Sequence, residues 1–427
     1  MIRLYNGLLM PMTSEDCGVI PGEIWTEGGK IAYAGPARSG EMPKFEREID
    51  LNGDLVIPGF KNAHAHSAMT FLRSYADDLP LQSWLFDKVF PLEDRLTPDA
   101  VYAFTRLAIL EYLSGGVTAS FDMYFYRDAY AQANIDCGFR TVICGALSAG
   151  DKIAVAEDDY RKFNSLHPLI GYLPGVHAEY TADEFLLREM SALVHALKSP
   201  FWTHNSETKS EVEGCMTRHG MSPTAYLDSL GLYDFGGGGY HCVWFTDRDM
   251  EIFAEKKLWA VTCPCSNAKL ASGVAPLWRF EKRGINLAVG TDGPASNNAL
   301  DMFREMYLAC VLQKLELSDA AACPAEHILY AACSGGARAM GLNNCDCLAE
   351  GKAADLAVIS LNRPNMRPIH DVTKNLVYSG TRDDVRLTMV NGKILYENGE
   401  FFVGADAGQI YEEAEKHTRE LISNDAR

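Results

Sequence analysis

The chain has 427 residues, 47% of them hydrophobic and 22% charged, with a formal net charge of -18. That length exceeds what one hydrophobic core usually spans, so one large domain and a smaller one are expected. The acidic balance, with no basic stripe to offset it, argues against nucleic acid or a membrane surface as partners and leaves a small molecule.

The opening stretch, MIRLYNGLLMPMTSEDCG, has one basic residue, a short apolar patch and no small-residue cleavage site. It is expected to be neither a secretory signal nor a membrane span. Strand-like pieces (RLYNGLLM, GEIWTEGGKIAYAG, EREIDL) divided by turn signals then fill residues 1–54, which read as a small β-domain. From 55 the pattern changes to short apolar runs alternating with helix-period segments: LVIPGF, VTASFDM, FRTVICGAL, LIGYLPGVH, PFWTHN, YHCVWF, LWAVTCPC and INLAVGTDG. Eight buried strands alternating with helices predict an α/β fold, a (β/α)₈ TIM-like barrel over 55–344. The helix after the first run is well marked, with Thr97 as N-cap, Pro98 in the first turn and Gly115-Gly116 as the stop.

After 344 the strand pattern returns, and Asn391-Gly392 predicts a hairpin turn. Segments 1–54 and 345–405 are therefore expected to form one β-sandwich built from both termini, closed by an amphipathic C-terminal helix within 406–427. The 12 cysteines are scattered through apolar runs. They read as buried reduced thiols, hence a cytoplasmic protein, with a homo-oligomer as the expected assembly.

In a parallel barrel the chemistry sits where strands end at their C-terminal edge, so polar residues closing the apolar runs are the candidates. Of 11 histidines, His64, His66, His177, His204 and His241 close such runs, and Asp292 closes the last. One such histidine would ordinarily be a satisfied or surface imidazole; here that plain reading would have to hold five times over. In extended chain His64 and His66 point to opposite faces, so they serve one ion only if the backbone bends after the strand. With His204 and Asp292 they make an N₃O set for a single divalent ion, with a position left for water. Zinc is the first expectation; iron(II), manganese(II) or nickel(II) are the alternatives. No GxSxG elbow, P-loop or HxE…PCxxC pattern competes with this set, and Cys263 and Cys265 of TCPCSNAKL read as packing residues.

PGFKNAHAHSAMTFLRSYADDLPLQSWLFDKVFPLEDRL, THNSET, YHCVWF, SNAKLASGVAP and GTDGPASNN together resemble the amidohydrolase superfamily. Within it the chain is most similar to the 5′-methylthioadenosine/S-adenosylhomocysteine deaminases and their guanine- and triazine-hydrolysing relatives. The resemblance implies His64, His66, His204 and Asp292 as metal ligands, with Asp292 also taking the proton of the attacking water. It implies Glu207 as the acid for the ring nitrogen, His241 as the group that polarises the nucleophile, and His177, Trp84 and Glu93 as substrate contacts, Glu93 reading ribose hydroxyls. The function implied is hydrolytic release of ammonia from an adenine nucleoside. A deaminase or dechlorinase of a guanine-like base, pterin or aminotriazine is the alternative, and a non-catalytic barrel relative the second. The chain departs from the family at Thr262, where histidine is frequent, and at the glycine run Gly236 to Gly239.

Overall fold

The computed structural model describes residues 1–15, 17–79 and 81–423, so the last four residues of the expected C-terminal helix lie outside the described ones. The two ends of the chain meet in one nine-stranded mixed sheet. Its hydrogen-bonded path runs Glu400–Phe401, Lys393–Glu397, Val385–Val390, Leu356–Ile359, Leu55–Pro58, Ile2–Leu9, Ile20–Glu27 and Lys30–Gly35, with Arg47–Asp50 paired beside Ile2–Leu9. Asn391 and Gly392 turn the hairpin with φ of 49° and 75°, the left-handed pair a two-residue connection requires.

Two parallel sheets carry the middle of the chain. One holds Phe60–Ala65, Val117–Asp122, Arg140–Cys144 and Ile170–Leu173; the other holds Gly175–Ala178, Phe201–Asn205, Gly237–His241, Trp259–Thr262 and Asn286–Val289. Helices separate most of these strands, as the apolar alternation predicts. The best marked, Pro98–Ser114, starts where Thr97 accepts a hydrogen bond from Ala100 N at 3.2 Å.

Three runs differ from expectation. LIGYLPGVH is divided at Pro174 between the two parallel sheets, as Ile170–Leu173 and Gly175–Ala178. The run LVIPGF is divided: Leu55–Pro58 belongs to the mixed sheet, and the parallel strand starts at Phe60. The run YHCVWF is displaced, because the strand there is Gly237–His241 and the chain leaves it at Cys242, whose φ is 51°. The glycines suit the strand because Trp202 lies against it. A Cβ on Gly238 would stand 2.7 Å from the Trp202 ring and 2.2 Å from the Trp259 carbonyl oxygen.

Ala63, Phe121, Val142, Trp202, Tyr240, Val261 and Ala288, from seven of the parallel strands, meet in one buried cluster. All twelve cysteines are free and buried. The C-terminal helix, Ala407–Ser423, packs on Pro98–Ser114. Among the described residues no helix is long and apolar enough to cross a membrane.

Candidate active site

His64 is the penultimate residue of the strand Phe60–Ala65, and His66 lies just beyond it at φ -127°, ψ 68°. The bend there is held from the neighbouring strand: Ser67 donates to Asp122 Oδ2 from its backbone nitrogen at 2.9 Å and again from its hydroxyl. With the chain turned, His64 Nε2 and His66 Nε2 lie 3.6 and 3.3 Å from the same oxygen, Asp292 Oδ1. That is the bend which the two-residue spacing requires for both rings to reach one centre.

The outer nitrogens fix the inner ones. His66 Nδ1 lies 2.5 Å from the Met123 carbonyl and His204 Nδ1 lies 2.7 Å from the His177 carbonyl. A carbonyl only accepts, so each Nδ1 carries the proton and each Nε2 presents a lone pair inward. The two Nε2 atoms are 3.4 Å apart. His64 is fully buried and neither of its ring nitrogens has a hydrogen-bond partner. Ligand atoms of His64, His66 and Asp292 lie within 4.8 Å of one another, as do those of His64, His204 and His241.

Burial pushes the pKa of His64 down to about 3 and, with the neighbouring imidazoles, that of His204 well below its ordinary value. Both rings are therefore neutral, the form that binds a metal. Burial works against charge on Asp292 too, but the surrounding imidazoles outweigh it and hold its carboxyl well below the usual range. For His241 burial is likewise outweighed, by the carboxylates of Glu207 and Asp292, and its pKa is raised.

His241 ends the strand Gly237–His241 with φ 68°; its Nδ1 lies 2.8 Å from Asn267 Oδ1 and its Nε2 3.8 Å from Glu207 Oε2. Glu207 sits just ahead of a helix that starts at Lys209. Its backbone N–H and that of Ser206 donate to Glu211 at 2.8 and 2.9 Å, and Ser272 Oγ donates to Glu207 Oε1 at 3.0 Å.

His66, His204, His241, Glu207 and Asp292 line a cavity with about 960 Å³ of empty space out to its mouth. His177, Trp84 and Glu93 are in its walls. Burial pushes the His177 imidazole down to about 4 and the Glu93 carboxyl up to about 7, while Tyr124 donates to Glu93 Oε1 at 2.7 Å. Every site residue singled out in the sequence lines this cavity except His64, which lies beneath it. Thr262, Cys263 and Cys265 are buried but do not line it.

Sequence reading missed the groups that hold this set in place. Asp122 closes an apolar run just as the histidines do, so the same criterion could have found it. Ser266, Asn267, Ser272 and Ser296 stand in quoted motifs, but nothing in serine or asparagine at a turn marks a partner on another strand.

A family model described as the amidohydrolase family matches residues 55–395. The chain belongs to the amidohydrolase family. This amidohydrolase is 37% identical over 420 residues to the 5-methylthioadenosine/S-adenosylhomocysteine deaminase of Moorella thermoacetica, covering 94% of this chain and 97% of that one. It is 38% identical over 413 residues to the 5′-deoxyadenosine deaminase of Methanothermobacter thermautotrophicus, covering 95% and 96%. Among solved structures, an adenosine deaminase from Xanthomonas campestris with bound zinc superposes with a TM-score of 0.93 at 31% identity, covering 99% of this chain and 98% of that one.

Proposed function

We propose that this amidohydrolase is a metal-dependent deaminase that hydrolyses the exocyclic amine of an adenine nucleoside, giving ammonia and the inosine analogue. The observation that carries it is the convergence of the His64, His66 and His204 imidazoles on Asp292 Oδ1 and on one another, at a cavity that Glu207 also lines. His64, buried with both nitrogens unpartnered, fits a ligand and has no other evident use. His64, His66, His204 and Asp292 would hold one divalent ion, zinc first. A divalent ion in such a site lowers the pKa of water to about 7 and so supplies a nucleophile at neutral pH.

The chain's own groups then divide the proton work. Asp292 takes a proton from the attacking water while oxygen bonds to C6 of the adenine ring. His241, anchored on Asn267, polarises that oxygen. Glu207 delivers a proton to N1, where negative charge develops, the proton on Asp292 passes to the amine, which leaves as ammonia, and the C6 hydroxyl proton returns to Glu207 as the C6 carbonyl forms. Glu93, with one oxygen engaged by Tyr124, offers the other to ribose hydroxyls, and Trp84 and His177 bound the ring.

We also read the two parallel sheets as arcs of one closed eight-stranded barrel over about 59–344. Thr291 and Asp292 N donate to the His64 carbonyl at 3.1 and 3.0 Å across one seam, and His177 N donates to the Leu147 carbonyl at 3.0 Å across the other. Pro174 divides one strand position into Ile170–Leu173 and Gly175–Ala178. The cluster joining Ile24, Ile31, Val56, Leu356 and Met389 supports the mixed sheet as a folded-over sandwich of both termini.

The cavity wall also favours one kind of nucleoside. It carries Glu93, Glu207 and Asp292 and, among the described residues, no lysine or arginine. Lys152, the cation nearest in sequence to the third strand's exit, is exposed and absent from the lining. An amino-acid tail at the 5′ position therefore finds no fork for its carboxylate. The test is a panel: 5′-methylthioadenosine, 5′-deoxyadenosine, adenosine, S-adenosylhomocysteine, guanine, a pterin and an aminotriazine, with ammonia release and metal content measured on one preparation. About one divalent ion per chain is expected, with the neutral nucleosides ahead of S-adenosylhomocysteine by about ten- to a hundredfold in kcat/KM. Turnover confined to the free heterocycles would overturn the nucleoside reading; a preference for the homocysteine conjugate would overturn the 5′ reading alone.

A further inference from the structure

We propose that the segment Ser266–Ser272, SNAKLAS, is the common positioning element of the site, setting through three side chains which atoms of Asp292, His241 and Glu207 face the substrate. The inference rests on the deaminase reading for the roles of those three residues. Each comes from a different place in the fold: Asp292 follows the last parallel strand, His241 ends Gly237–His241, and Glu207 follows Phe201–Asn205. One short stretch after Trp259–Thr262 reaches all of them. Ser266 Oγ donates to Asp292 Oδ2 at 2.6 Å, Asn267 Oδ1 lies 2.8 Å from His241 Nδ1, and Ser272 Oγ donates to Glu207 Oε1 at 3.0 Å. Ser266, Asn267 and Ser272 are 0%, 2% and 5% exposed, so each reaches its partner from the protein side of the cavity wall. The stretch is itself pinned: Cys265 N donates to Glu305 Oε2 at 3.0 Å, and Trp244 Nε1 donates to the Ser272 carbonyl at 2.7 Å.

The consequence is sharpest at Glu207. The terminal torsion of a glutamate is broad and roughly two-fold, so a carboxyl left alone presents either oxygen. Ser272 engages Oε1 and leaves Oε2, the oxygen nearer His241, as the one that carries and delivers the proton. Asp292 is held twice, since Ser296 Oγ also donates to its Oδ2 at 2.7 Å. Loss of Ser266 is therefore buffered, whereas Glu207 depends on Ser272 for its side-chain donor.

The experiment is a double-mutant cycle on the metal-loaded enzyme. Ser272→Ala is expected to lower kcat about ten- to a hundredfold, the value of one hydrogen bond to a charged group, with KM within about twofold. Metal content and Tm stay at wild-type values. In a Glu207→Gln background the same change costs nothing further, because it acts only through that carboxyl. Ser266→Ala alone lowers kcat less than Ser272→Ala. Wild-type turnover in Ser272→Ala, an equal loss in both backgrounds, or a loss that follows metal content or Tm overturns the positioning role. Wild-type turnover in Glu207→Gln overturns instead the acid assignment on which it rests, so the two failures are told apart.

Discussion

At Glu93 only 9% of the residue meets solvent, and burial pushes its carboxyl from an ordinary 4.5 up to about 7. Tyr124 eases the charge by donating to one oxygen, yet burial dominates. The folded protein thus holds this proton more tightly than the unfolded chain does. Stability from this group is full below about pH 4.5 and is lost as pH rises through about 7, where the deficit reaches about 3 kcal/mol. Glu93→Gln keeps an acceptor for Tyr124 and removes the charge. It should raise Tm at pH 8 clearly more than near pH 4, while lowering kcat/KM for nucleosides; an equal Tm difference at both values would contradict this. A carboxylate kept where its charge is unfavourable is what a binding role predicts, and the sequence offered only an acid in FPLEDRL. His64, His66, His204 and Asp292 could be singled out because several polar groups closing successive apolar runs form a pattern along the chain. Ser272 and Asn267 could not, since their partners are set by how strands curve past one another.

Glu305, in the helix Met302–Leu317, has no exposed surface, and burial pushes its carboxyl up to about 8. Its two oxygens accept from Cys265 N at 3.0 Å and from Asn297 Nδ2 at 2.6 Å. It therefore ties together the short helices Pro264–Lys269 and Pro294–Asn297, which carry Ser266 and Ser296. In Glu305→Gln the amide nitrogen must meet one of those donors, leaving buried polar groups unpaired at a cost of about 1–3 kcal/mol. Tm should fall accordingly and turnover with it; a neutral effect on both would show that the helices hold each other without the clamp. Such ties are invisible along the chain, whereas most elements they join were readable. Runs such as VTASFDM and INLAVGTDG gave their strands, and Thr97-Pro98 gave a helix start. The failures have local causes. LVIPGF is one apolar run serving two sheets, because an unbroken run has no period to mark where pairing partners change. YHCVWF misled because the glycines before it, poor strand formers alone, are required by the Trp202 ring.

Across the whole molecule the mixed sheet and the parallel strands are joined by a buried ion pair. Arg140, opening Arg140–Cys144, donates from Nε to Asp355 Oδ2 at 2.6 Å and from Nη2 to Oδ1 at 3.1 Å. Asp355, just before Leu356–Ile359, also accepts from Asn391 N at 2.7 Å, and its carbonyl accepts from Gly59 N at 3.1 Å, where the chain passes from one sheet to the other. Arg140 is 4% and Asp355 2% exposed. Burial opposes the charge on Asp355, but the guanidinium outweighs it and holds the carboxyl below its usual range. Its contribution is present above the ordinary carboxylate range and lost only as pH falls below it. Asp355→Ala leaves the guanidinium buried and unpaired, which costs about 3–5 kcal/mol. Arg140→Met with Asp355→Leu removes both charges and should recover most of that loss. Apolar packing also spans the two regions, with Ile57, Val117, Ala357 and Val385 in one cluster. The parts should therefore unfold together: Asp355→Ala should lower the temperature of a single transition, with activity and metal lost across that same transition. Two separate transitions, with turnover surviving the first, would mean that the mixed sheet melts alone and the active site needs nothing from it.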